Sequence, residues 1–185
     1  MSLEPKIMSY LKANVPAVVN TGVVDTNGTA VTRVSGDLFN TAWAQHLINI
    51  NGVDYAVASV TNTGSLTLHA SAGVQTGVAY NFYRIAFVKA LQGLPPPYLT
   101  IAKVSEQKDY THDGASGLTR PRFQINVFAN TYPQAKLAAV EVKEAMDNWQ
   151  ADGIRFAPLQ NEIDLYEEDT KLHHVPLDFF IHYES

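Results

Sequence analysis

The sequence predicts an α+β fold: an antiparallel sheet packed by helices, with an inserted small all-β, barrel-like domain. Three observations point there. The two ends of the chain carry helices at 3.6-residue spacing beside alternating strands. The stretch from 17 to 83 loses nearly all its charge and becomes rich in Thr, Asn, Gly, Ser and Val, with Arg33 its only Lys or Arg. Within that stretch Ile48-Asn49-Ile50-Asn51-Gly52-Val53-Asp54-Tyr55 holds the strongest local hairpin signal, because both central positions of a type I′ turn need positive φ. The reading is a discontinuous domain, 1–16 plus 84–185, interrupted by a β-rich domain over 17–83. Exposed loops tolerate whole-domain insertion at small entropic cost.

Residues 1–16 predict a short amphipathic helix with Leu3, Ile7 and Leu11 on one face, Ser2 as candidate cap, and Pro16 as the stop. The insert reads as short strands at 23–24, 30–34, 47–50, 53–60, 65–69 and 79–83, with a second turn over 61–64. Leu94-Pro95-Pro96-Pro97 is a stiff extended segment that feeds a strand over 98–104. Residues 105–121 read as a polar loop around Asp113-Gly114-Ala115-Ser116-Gly117. A strand over 122–129 follows, with Phe123, Ile125 and Val127 alternating against Gln124 and Asn126.

Thr131-Tyr132-Pro133-Gln134 has capping-box form with proline in the first turn, and such a cap contributes roughly 1 kcal/mol. Ala135, Ala138, Val142, Ala145 and Trp149 then make a stripe that packs a helix on the sheet, and Asp152-Gly153 ends the unit. Two last strands are expected over 154–159 and 173–183. In the second, Val175, Leu177, Phe179, Ile181 and Tyr183 mark one face, which leaves Phe180 facing the other as a candidate for a subunit interface or a helix cover.

Composition excludes several functions. Apolar residues make up 46% of the 185, enough for a real core, and the formal net charge is −5. A dedicated nucleic-acid binder needs a clustered Lys/Arg surface to release counterions, and no such cluster occurs. The chain has no cysteine, which removes disulfides, thiolate catalysis and Cys-ligated zinc. No apolar run nears the ~20 residues of a membrane helix, and the opening Met1-Ser2-Leu3-Glu4-Pro5-Lys6 lacks the pattern of a signal peptide, so a soluble protein made in a cytoplasm is expected, with no membrane partner.

Candidate chemistry is thin. His173, His174 and His182 evoke a metal site, but adjacent strand residues point to opposite faces and cannot easily share one ion. His112, Asp113 and Ser116 evoke a hydrolase, yet they lie in a polar loop without a nucleophile elbow. No catalytic, cofactor-binding or metal residue is assigned. Tyr132, Trp149 and Phe179 read as core. Trp43, Tyr55, Tyr80 and Tyr83 read as the core of the small β domain, with sugar stacking as the alternative. The acidic run Glu162, Asp164, Glu167, Glu168 and Asp169 reads first as a solvated turn.

An ordered set of motifs adds to this. Pro96-Pro97-Tyr98-Leu99-Thr100-Ile101, Asp113-Gly114-Ala115-Ser116-Gly117-Leu118, Arg122-Phe123-Gln124-Ile125-Asn126-Val127-Phe128-Ala129, the Ala-rich helix, Asp164-Leu165-Tyr166-Glu167 and Leu177-Asp178-Phe179-Phe180-Ile181 follow one another. Together with the opening helix they resemble the tail-terminator (tail-completion) proteins of tailed bacteriophages, over roughly two thirds of the chain. The family's usual plan runs from the first helix almost directly into the strand before the prolines, and the 17–83 insert departs from it. The insert resembles small β modules of other phage virion proteins, through Gly28-Thr29-Ala30-Val31, Phe39 and Trp43, Ile48-Asn49-Ile50-Asn51-Gly52, Tyr55 and Ser65-Leu66-Thr67-Leu68.

The resemblance implies a non-enzymatic virion protein without cofactors, assembled in the host cytoplasm. Its copies would form a ring, a hexamer, on the head-proximal end of the tail tube, stop polymerisation and offer the head-docking face. Its partners would be itself, the tail tube protein, the head-completion or connector protein, and DNA only in passage through the lumen. In that setting Asp109, Tyr110, Thr111, His112, Asp113 and Gly114 are candidates for a loop that orders on assembly. Glu162, Asp164, Glu167, Glu168 and Asp169 are candidates for a repelling lumen wall, since duplex DNA carries one charge per ~1.7 Å of axis. The alternatives are a head-side neck or connector protein, a glycan- or host-surface-binding module carried by the insert, and a small enzyme.

Overall fold

The structure, a computed structural model, describes residues 3–90, 93–112, 114–147, 149–150 and 153–184. The chain divides into two compact units: Met1–Val18 with Ile85–Ala90 and Pro96–Ser185, and Val19–Arg84 with Leu91–Pro95.

The second unit is a closed six-stranded barrel in the order β1-β2-β5-β4-β3-β6, with β6 returning to β1. Its strands are β1 (Val19–Asn27), β2 (Ala30–Gly36), β3 (Leu47–Ile50), β4 (Val53–Asn62), β5 (Ser65–Leu68) and β6 (Val74–Tyr83). Closure removes the sheet edges that such short, polar-turned strands would otherwise expose. Asn51 (φ 51°) and Gly52 (φ 84°) make the expected turn between Ile50 and Val53. β1 and β6 run longer than expected because their pairing is fixed by the barrel wall and not by apolar alternation.

Trp43, in a single 3-10 turn over Thr41–Trp43, plugs the barrel and stacks on Phe82 with ring centroids 4.2 Å apart. Phe39, Ile48, Ile50, Val57, Leu66, Leu68 and Tyr80 complete the interior. The Tyr80 hydroxyl donates to the Asp37 carbonyl at 2.6 Å, and burial, with Asp37 nearby, pushes its pKa up to about 12. Gly22 pairs with Gly36. A Cβ on Gly22 would meet the Ser35 carbonyl oxygen at 2.3 Å and the Tyr80 ring at 2.6 Å, so two strands and an aromatic ring meet where no side chain fits.

In the first unit α1 (Leu3–Asn14) buries Leu3, Ile7 and Leu11 and ends before Pro16, as its spacing predicts; the Ser2 cap lies outside the described residues. α2 (Tyr132–Asp147) buries Ala135, Ala138, Val142 and Ala145 together with Ala139 and Met146. Trp149 is buried too and stacks on Tyr10 of α1 at 5.1 Å. Asp152, offered as part of the stop, lies outside the described residues, whereas Gly153 takes φ 87°.

The sheet has eight strands: β7 (Ile85–Phe87), β8 (Tyr98–Thr111), β9 (Gly114–Ala129), β10 (Ile154–Phe156), β11 (Leu159–Glu162), β12 (Leu165–Glu167), β13 (Leu172–Phe180) and β14 (His182–Glu184). β8, β9 and β13 are successive antiparallel neighbours; β11 and β12 follow one another along the far side of β13. β14 pairs with β9, and β10 with β14. Phe123, Ile125, Val127, Leu177 and Phe179 are wholly buried where α2 packs on β9 and β13.

Four expectations need correction. Residues 105–121 are not a loop: β8 and β9 continue as one hairpin whose ladder reaches Thr111 and Gly114. Both faces of that ribbon meet solvent, so it needs no apolar alternation and leaves none in the sequence. The strand expected over 154–159 is broken at Ala157-Pro158 into β10 and β11, which pair with different partners. The strand over 173–183 is broken at Ile181, whose N–H leaves for the Pro121 carbonyl, so β13 and β14 are separate. The sheet is not purely antiparallel, since β7 runs parallel to β8.

Candidate functional site

The chemistry-bearing side chains are spread over three places, each set by a strand or helix. The first is the β8–β9 ribbon. Asp109, Tyr110 and Thr111 close β8, His112 follows, Gly114 opens β9, and Asp113 lies outside the described residues. The backbone ladder is braced by Arg120 to Asp109 at 2.6 Å and by the Ser116 hydroxyl to the Asp109 carbonyl at 2.8 Å. That second bond occupies the hydroxyl that a hydrolase reading would need, and His112 is exposed. Tyr110 is 73% exposed and Val104 48%, on a ribbon with no core beneath it.

The second place is the acidic run, which is not a plain solvated turn. Glu162 lies in β11 and Glu167 in β12. Lys136 and Lys143, seven residues apart and so on one face of α2, both donate to Glu162, the latter at 2.8 Å. Lys136 also reaches Asp164 at 3.0 Å, and the Tyr132 hydroxyl donates to Asp164 at 2.9 Å. Hydrogen bonds from Lys136 and Lys143 hold the Glu162 carboxyl below its ordinary value; those from Lys136 and Tyr132 do the same for Asp164. The same bonds raise Lys136 and Tyr132. Glu167 faces His174 at 3.2 Å, Glu168 pairs with Lys171 at 2.9 Å, and Asp169 is exposed. Tyr132, expected in the core, is instead a half-exposed cap on this network, edge-on to His173.

The third place is the sheet face turned away from α2. Phe180 lies there opposite Arg122, half-buried, while Phe179 and Trp149 are core. Asp178, almost wholly buried, takes Arg122 at 2.8 Å and Gln124 at 3.4 Å. Tyr98, Phe128 and His174 stack across three strands at 4.9 and 4.2 Å. His174 also meets Asn126 at 2.9 Å, and its burial lowers its pKa.

The three histidines do not converge. His173 lies between Tyr132 and Tyr166, His174 faces Asn126 and Glu167, and His182 stacks on Phe156 at 4.0 Å. Among the described residues no cluster of His, Asp or Glu is arranged to hold a metal ion. Of the barrel aromatics, Trp43 and Tyr80 are core, but Tyr55 and Tyr83 are half-exposed; alternation along β6 turns Phe82 inward in place of Tyr83.

Two clefts lie among the described residues of the first unit. One of about 250 Å³ lies at the root of the ribbon between Arg120, Arg155, Phe156 and His182; in it Arg155 pairs with Glu184. The other, about 320 Å³, lies between α1 and α2 beside Glu141, whose carboxylate accepts the Ala17 N–H at 2.8 Å. The clamp by Lys136 and Lys143 and the Arg122–Asp178 pair were missed from sequence. The seven-residue lysine spacing was a usable signal for the first; nothing local marked the second, whose partners are 56 residues apart.

A family model described as tail completion protein gp17 matches residues 67–184, just under two thirds of the chain. The matched stretch begins within β5, so it takes in β6 and leaves α1 outside. Among solved structures, a chain from the virion of a native gene transfer agent particle is similar at 18% identity, covering 55% of this chain and 79% of that chain, with a TM-score of 0.46. No curated protein matches.

Proposed function

The chain belongs to the tail completion protein gp17 family, and from that premise we propose that its copies form a ring, a hexamer, capping the head-proximal end of the phage tail tube. Its role is structural, in completing the virion tail. The ring ends tube polymerisation and presents the surface on which the head connector docks. Tube protein on one side and head-completion protein on the other are its partners, and DNA meets it only in passage.

The observation that carries this reading is the β8–β9 ribbon. Beyond Leu118, where β14 leaves β9, the hairpin over 109–117 is two-stranded, with no further strand of the described residues beside it, and an isolated two-stranded ribbon is marginal in water. It gains its burial from a neighbour. Asp109, Tyr110, Thr111, His112 and Gly114, at its tip, make contacts with the tube or the connector.

The lumen wall draws on fewer carboxylates than the run contains. Glu162 and Asp164 are neutralised by α2, so the exposed negative charge comes from Asp169 and from Glu168 in its exposed pair with Lys171, with Glu167 partly engaged by His174. Replacing Glu168 and Asp169 with Lys is expected to slow DNA ejection; unchanged ejection would place them elsewhere. The reading as a whole is tested by infection with phage lacking this chain. Filled heads and unjoined tails of irregular, excess length are expected, whereas joined virions of normal tail length would refute it.

A further inference from the structure

We propose that successive copies join edge to edge: residues 102–111 of β8 in one copy pair antiparallel with the β11–β12 edge of the next, so that one sheet continues from subunit to subunit. The inference rests on the ring reading and names the surface by which the ring is built.

β8 has a free outer side. β7 covers it only opposite Leu99, Thr100 and Ile101 and then turns off. The turn is sharp: Val88, a β-branched residue, takes φ 58°, and the Lys89 N–H bonds the Phe87 carbonyl at 2.5 Å. A positive φ at valine is costly and persists where the surroundings require it. Its consequence is to lift the chain off β8, and from Ala102 onward no strand of the described residues pairs with that side. A long bare edge of this kind is a template for another strand.

The opposite side of the sheet has a matching edge. β11 and β12 pair only with β13 among the described residues. The clamp of Lys136, Lys143 and Tyr132 on Glu162 and Asp164 holds that edge in place. Its exposed apolar side chains, Ile163, Leu165 and Tyr166, face the same need for cover as Val104 and Tyr110 on β8.

Strand direction selects the partner. β8, β9, β13 and the β11–β12 edge alternate in direction, four rows in all. With an even number of rows, a second copy set beside the first without reversal brings its β8 antiparallel to the β11–β12 edge. That is a head-to-tail contact, and head-to-tail contacts close into rings when the rotation allows.

Charge agrees with this arrangement. At the Ala102 end of the β8 edge, the side chain of Lys89 is exposed and has no carboxylate partner among the described residues; antiparallel pairing sets that end beside the end of β12, which runs into Glu167-Glu168-Asp169, where Asp169 likewise has no cation.

The chain contains no cysteine, so introduced thiols report this contact alone. Val104→Cys or Tyr110→Cys is combined with Ile163→Cys or Leu165→Cys in the full chain, four pairings that sample the register, and each is oxidised after assembly. A covalent ladder up to the ring size is expected from at least one pairing, with none from any single variant. Closed rings without a ladder in any of the four would overturn the edge pairing and leave the ring reading standing. A ladder of open chains without closed rings would keep the pairing and refute the ring. A covalent dimer from Val104→Cys alone would mean two-fold β8–β8 pairing and overturn the proposal. As a second readout, slowed amide exchange over 102–111 and 159–167 together is expected on assembly; slowing at neither would also overturn it.

Discussion

Gly22 shows how one residue decides the barrel. Its strand lies so close to Gly36 and the Tyr80 ring that a methyl group has nowhere to go. Gly22→Ala is expected to destabilise the barrel by about 1–3 kcal/mol, the cost of overpacking a fitted core, as read by urea titration of Trp43 fluorescence with Trp149 replaced by Phe in both chains compared. An unchanged midpoint would mean that β1 and β2 relax apart freely.

The Glu162–Asp164 pair sets a pH dependence at the same scale. Both carboxyls lie below their ordinary values in the folded chain because Lys136, Lys143 and Tyr132 hydrogen-bond them. Their contribution is therefore present above the ordinary carboxylate range and is lost as pH falls through the lowered folded values. His174 acts in the same direction: burial lowers its value, so the stability it contributes is present above pH ~6.5 and is lost as pH falls. Lys136→Met is expected to flatten the acid limb of the stability curve while changing stability at neutral pH by less than about 1 kcal/mol, since the pair is partly solvent-screened. A parallel downward shift of the whole curve, with the acid limb kept, would contradict this account.

Among the elements, the β8–β9 ribbon separates folding from function most cleanly. Among the described residues, its outer half contributes no side chain to the wholly buried core. Replacing residues 109–117 with Asn-Gly is expected to leave the melting temperature of the first unit within a few degrees and to abolish tail capping. Loss of folding would show the ribbon to be structural. The ribbon is also where sequence and structure part. α1, α2, β3 and the Asn51-Gly52 turn were legible because each carries a period or a turn whose physics is local: Ile7 and Leu11 one turn apart, or two positive-φ residues between β-formers. The ribbon was not, because a strand with water on both faces has no apolar alternation to read. Pro158 and Ile181 broke two expected strands through hydrogen bonds to distant partners, Phe180 N–H to Pro158 and Ile181 N–H to Pro121. The acidic run was legible in composition alone; that α2 neutralises part of it depends on a helix and a strand meeting in three dimensions.

For the whole molecule, each unit has its own buried core, aromatic in the barrel and built on α1, α2 and the sheet in the other. We take Val19–Arg84 as separable from the assembly function. Because Ala17 and Val18 belong to the first unit, the test excises Val19–Arg84 and joins Val18 to Ile85 through a short Gly-Ser linker; ring formation is expected to persist, measured by native mass spectrometry. Loss of rings from a chain that still folds would mean that the barrel builds contacts.

The central claim is that copies of this chain complete the tail as a ring at its head-proximal end, and electron cryo-microscopy of tails assembled with the purified chain tests it most directly. The account predicts one closed ring of copies on the end that meets the head, with tube growth stopped beneath it. Copies spread along the tube, seated at the far end, or bound only to heads would contradict it.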